Sequence, residues 1–126
     1  MEWVEAREKI RERVGIGTEV NSDRSKARFV QAVDKVFDSE RYGYQKEKGF
    51  VVSYGYSRNL NIPWSMLKEC FHSAKLASGY NTNVFKSLYP TQYRDHDCYA
   101  HIVGKIFEVA GVAVYDGDAY RIVEGR

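Results

Sequence analysis

The sequence predicts an α+β fold: an N-terminal helix, a small antiparallel sheet, then a three-helix bundle closed by a C-terminal β-hairpin. Three observations predict it. From Cys98 to Ala110, the residues Tyr99, Ile102, Val103, Ile106, Phe107 and Ala110 recur at the i, i+3, i+4, i+7 spacing of one helix face. Asp116-Gly117 then sits between the apolar runs Val112 to Tyr115 and Ala119 to Val123, and Asp-Gly in that setting is a strong hairpin signal. Upstream, Tyr42, Tyr44, Phe50, Val52, Tyr54 and Tyr56 fall at alternating positions within short runs, as one face of a sheet requires. A chain of 126 residues holds one domain, with 1–61 as helix plus sheet and 62–126 as the helical half with its hairpin.

Residues 2–14 read as the first helix. Trp3, Ala6, Ile10 and Val14 mark a narrow apolar stripe, glutamates lead and arginines trail as the helix dipole prefers, and Gly15 to Gly17 end it. The stripe serves either packing on the body of the domain or dimerisation. Residues 25–37 read two ways, since Phe29, Val30, Val33, Val36 and Phe37 fit a helical stripe while the valine and aromatic content fits a strand. The strand reading is preferred because the runs at 41–45 and 50–56 also look extended and three neighbouring strands can pair. Lys46 to Gly49 reads as the polar turn between the last two.

Ile62 to Ser65 opens the next helix, with Pro63 where a missing N–H is harmless and Trp64, Leu67, Phe71 and Ala74 as its stripe. Ser78-Gly79 stops it. Asn81 or Thr82 caps a short helix carrying Val84, Phe85, Leu88 and Tyr89, and Pro90 ends it. The polar stretch from Thr91 to Asp97 leads into the final helix, capped by Asp95 or Asp97 and closed by a left-handed Gly111.

This order of helices followed by a hairpin, over residues 62–123, resembles winged-helix DNA-binding domains. The resemblance implies that the helix over 97–111 is a recognition helix lying in a major groove. Its polar side would then show Ala100, His101, Gly104, Lys105 and Glu108, with small residues allowing close approach, His101 and Lys105 reaching bases or phosphates, and Arg94 clamping a phosphate. Glu108 and the acidic hairpin tip, Asp116 and Asp118, run against it, because phosphate neutralisation supplies much of the affinity for DNA.

A second group of cations, Arg24, Lys26 and Arg28, lies outside that half. Arg41, Lys46, Lys48 and Arg58 are interleaved with tyrosines, a pairing that can track a nucleic-acid backbone and stack bases, or that simply solvates and protects a sheet edge. The net charge is +2, short of a dedicated nucleic-acid binder.

Cys70, His72, His96, Cys98 and His101 are the available zinc ligands. Cys98 and His101 are one helical turn apart, but Cys70 and His72 point to nearly opposite sides of a helix, so no metal is expected. Asp95, His96, Asp97 and His101 gather near one helix start without the spacing of a catalytic set, and neither a phosphate loop nor a nucleophile elbow is present. There is no basic-then-apolar leader and no membrane-length apolar run, so a reducing cytoplasm with both thiols unpaired is the expectation. The resulting reading is a cytoplasmic nucleic-acid-binding module, more readily DNA than RNA, with no cofactor, no metal and no catalytic residues. The alternatives are a protein–protein interaction domain accessory to a larger complex, or a homodimer, and then a nucleic-acid-processing enzyme.

Overall fold

A computed structural model describes residues 1–20, 28–39, 42, 44–54 and 58–124. The order of elements is α1 (Trp3–Arg13), β1 (Arg28–Ser39), β2 (Tyr44–Tyr54), β3 (Arg58–Pro63), α2 (Trp64–Leu76), α3 (Thr82–Leu88), α4 (Pro90–Asp95), α5 (Cys98–Val109), β4 (Ala113–Tyr115) and β5 (Tyr120–Ile122). The class is α+β, as the sequence predicts. The helical half holds four helices, not three.

The sheet runs in the order β1-β2-β3 and is antiparallel throughout. Residues 28–39 settle the two-way reading in favour of a strand. The expected turn at Lys46 to Gly49 does not exist: these residues continue β2, with Glu47 and Lys48 opposite Phe37 and Val36 of β1. Pairing with β1 overrides the turn preference of the local sequence, and β3 joins at Gly49. The third strand is Arg58–Pro63, so Ile62 and Pro63, expected to open the next helix, end a strand instead, and it pairs in unbroken register from Gly49↔Pro63 to Tyr54↔Arg58. Gly49 is there for space, since a Cβ would run into the Ile62 carbonyl and Pro63 Cα. Phe50, Val51 and Val52 are all buried, so both faces of central β2 are covered here and strict alternation is lost.

Helix α1 lies on the core through its predicted stripe, with Ala6, Ile10 and Val14 fully buried and Trp3 against Phe71 at 5.7 Å between ring centroids. The residues of that stripe pack inside the chain, while Val4 beside it is exposed. Arg13 Nη1 donates to the Ala110 carbonyl at 3.1 Å, placing a cation at the negative end of α5.

Pro63 precedes α2, which buries Met66, Leu67, Cys70, Phe71 and Ala74. It ends in a left-handed Ser78 (φ 65°), with Gly79 N–H returning to the Ala74 carbonyl at 2.8 Å. Asn81 caps α3 by accepting the Val84 N–H at 3.1 Å. Pro90 then does two things. It keeps Tyr89 out of helical geometry, which ends α3, and it opens α4 from the first-turn position where it loses no hydrogen bond. The stretch expected to be a polar loop is therefore mostly a short polar helix, with Gln92 as its buried residue.

Every residue of the predicted α5 stripe is buried. The expected aspartate caps are absent. Asp97 occupies the cap position without a side-chain bond, and Asp95 instead accepts from the Tyr42 hydroxyl at 2.9 Å. At the far end Gly111 is left-handed (φ 75°), with Gly111 N–H to Glu108 and Val112 N–H to Phe107 closing the two bonds of a Schellman motif. The hairpin forms around Asp116, whose Oδ1 accepts the N–H groups of Asp118 and Ala119, each at 2.9 Å. It is pinned to the α2–α3 connection. Tyr80 and Tyr120 exchange two backbone hydrogen bonds at 2.8 Å, and Arg121 bridges the Asp116 carboxylate and the Ser78 carbonyl. Among the described residues no helix is long and apolar enough to cross a membrane.

Candidate functional site

The residues expected to face DNA are described only in part. Arg24 and Lys26 lie outside the described residues, and Arg28 lies within them by its backbone alone, opposite Tyr54. Arg94 is on α4, its side chain 72% exposed, 3.6 Å from the Asp95 carboxylate. Lys105 is half-buried and its Nζ meets Glu108 Oε1 at 2.6 Å, so its charge is largely answered within α5. His101 is exposed and lines a hollow with Asn81, Thr82, Asp118 and Tyr120, in which the neighbouring charge is acidic.

The small residues of the supposed groove face are not open. Ala100 is buried, and its carbonyl accepts the buried Tyr80 hydroxyl at 2.7 Å. The space beside Gly104 is filled by the Tyr120 ring. The close approach that Gly104 permits is made by Tyr120 of the chain's own hairpin, and Ala100 is met by Tyr80 of the α2–α3 connection. Alanine and glycine in a polar-looking stripe read as a docking face only while the position of the hairpin is unknown.

A different cluster is assembled at the junction of α1, β2 and α2. Arg7, Arg11, Glu47, Lys48, Trp64 and Ser65 line a cleft of about 280 Å³. Arg7 and Arg11 project from one face of α1 because they are one turn apart. Lys48 reaches the cleft because β2 runs straight through the stretch that looks like a turn. Trp64 and Ser65 are the first two residues of α2, so the positive end of the helix adds to the field. Three cations face one carboxylate, and Glu47 is engaged by the Ser65 hydroxyl, which donates at 2.5 Å. The Arg7 guanidinium carbon lies over the half-buried Trp64 indole, 5.6 Å from its centroid. The indole also packs on Phe50, at 5.1 Å between ring centroids, and on Trp3, at 6.3 Å.

The sequence held part of this signal. Lys48 stands among the basic residues next to aromatics, and the i,i+4 arginines of α1 are visible. What joins them to Trp64 is the packing of α1 along α2, which no local pattern announces.

Two described groups with strongly shifted pKa values lie in the core. The Cys70 thiol is fully buried, and burial first, then the Glu69 charge, pushes its pKa up. Burial also pushes the Tyr80 hydroxyl well up. Neither is poised as a nucleophile or base at neutral pH. Among the described residues no three His, Cys, Asp or Glu side chains converge as a metal site. The cleft can instead hold an anion against a flat aromatic surface. No family model, curated protein or solved structure matches this chain.

Proposed function

We propose that the protein binds nucleic acid, and that the cleft between α1, β2 and α2 carries the phosphate contacts. The supporting observation is the convergence of Arg7, Arg11 and Lys48 on one cleft beside Trp64. Guanidinium groups suit phosphate because their donors form a planar fork that matches its oxygens. Insertion of α5 into a major groove is the weaker route, since seven of its residues are buried, including Ala100 and Gly104 on the side that would meet the bases. A cleft of about 280 Å³ has room for one unit of a longer polyanion.

The test is a salt titration of binding to labelled DNA and RNA. Affinity should fall linearly with log salt, and Arg11→Ala or Lys48→Ala should each flatten the slope by about 0.7–0.9 per lost phosphate contact. Absence of binding to any oligonucleotide at low salt sinks the reading. A protein partner is the second reading, favoured by Leu76. It is 89% exposed at the end of α2 and lines an apolar groove with Val84 and Leu88.

A further inference from the structure

We infer that the cleft selects single-stranded over duplex nucleic acid, with Trp64 as the stacking platform for one unpaired base and Arg7 as the side chain that base displaces. This rests on the reading of the cleft as a nucleic-acid site and adds which form of nucleic acid it takes.

Trp64 stands at an unusual place for a tryptophan. It opens α2 and is half-buried, with aromatic support from Phe50 and Trp3, while its ring also lines a cleft otherwise made of charged and polar groups. The support fixes the plane of the ring, which a stacking surface needs. The group now lying over that ring is a guanidinium, itself planar and drawn to the indole face by its charge. A nucleobase presents the same planar shape to the same surface, and base–aromatic stacking is tolerant of sequence.

The exchange conserves the site's interactions. When a base takes the indole, Arg7 swings off the ring, and one turn along the same helix face Arg11 also lines the cleft. Arg7 then adds its fork to the phosphate beside the stacked base, so a charge-assisted hydrogen bond takes the place of the cation–π interaction. A duplex cannot do this without flipping a base out of its stack, which costs roughly thirty- to a thousandfold in affinity.

The experiment compares three probes on the full chain: an oligothymidylate of roughly ten nucleotides, the same sugar–phosphate strand without bases, and the matching duplex. Binding is read by anisotropy and by quenching of tryptophan fluorescence, with Trp3→Phe assigning the quench to Trp64. The expected result is that the base-bearing strand binds about five- to a hundredfold tighter than the abasic one and alone quenches Trp64. Arg7→Gln leaves the indole in place, so it should keep the quench while lowering the salt slope by about 0.7. Equal affinity for abasic and base-bearing strands without quenching overturns the stacking role but leaves phosphate binding standing. Equal affinity for duplex overturns strand selection. No binding of any probe removes both this inference and the reading beneath it. The three affinities are read on the unsubstituted protein, so they stand even where a variant fails to fold.

Discussion

The ring of Tyr120 occupies the place where Gly104 would carry its Cβ. This joins the hairpin to α5 through a position that looks, in the sequence, like an opening. Glycine inside a helix usually costs about 0.5–1 kcal/mol relative to alanine, so Gly104→Ala should stabilise an unobstructed helix. Here the methyl overlaps an aromatic ring that is itself anchored by the Tyr80–Tyr120 backbone bonds. Overpacking of that kind costs about 1–3 kcal/mol, which exceeds the gain in helix propensity. Gly104→Ala should therefore lower the melting temperature. A rise would mean that Tyr120 is not seated on α5.

Ile106 lies fully buried on the opposite, predicted face of the same helix. Its truncation to alanine removes the transfer energy of the side chain and leaves a cavity among packed neighbours. The expected loss is about 2–5 kcal/mol, measured by denaturant or thermal unfolding. A change near zero would contradict the phase of α5.

The contrast between these two positions shows what the sequence makes legible. The α5 stripe, the Gly111 stop and the Asp-Gly hairpin are local patterns, and they are where the sequence places them. The continuation of β2 through Lys46 to Gly49 is not local, because β1 supplies the partners of Glu47, Lys48 and Gly49 and β3 adds one only at Gly49. Pro90 reads as a stop and is also a start, since the helix it opens is too short and polar to show an apolar period. The cleft depends on three elements meeting, and its residues are split between Arg7 and Lys48 on one side and Trp64 on the other. Sequence reasoning finds the cations and the aromatics separately and has no means of bringing them together.

The hairpin turn gives a pH-dependent expectation. Asp116 accepts two backbone N–H groups and the Arg121 guanidinium. The backbone bond from Ala119 is the largest cause, followed by that from Asp118 and then Arg121, and together they lower its pKa from 3.8 to about 2. The folded state prefers the charged form, so this contribution is present above the unfolded value and is lost as pH falls through the folded one. Asp116→Asn keeps the side-chain oxygen and removes the charge. Its melting temperature should be lower than that of the unsubstituted protein at neutral pH, and the two should converge between about pH 4 and pH 2. A gap that stays constant down to pH 2 would show that the charge of Asp116 contributes nothing to the turn.

The two cysteines should differ sharply in reactivity. Cys70 is fully buried on the core face of α2, and its thiol is pushed up by desolvation and by Glu69. Cys98 is half-buried at the first residue of α5, and neither forms a disulfide. The thiolate is the reacting species, so both access and pKa act against Cys70. A soluble aromatic disulfide reagent at neutral pH should modify Cys98 in the native protein and reach Cys70 only after denaturant is added, with mass spectrometry placing each adduct. A chelator present throughout should change neither the labelling pattern nor the melting temperature, because a structural zinc would contribute folding energy outright and shield its ligand thiol. Native labelling of Cys70 would show that the core between α2 and its neighbours opens on the timescale of the reaction. Protection of Cys98 that a chelator removes would make it a metal ligand together with His101, one turn along the same helix.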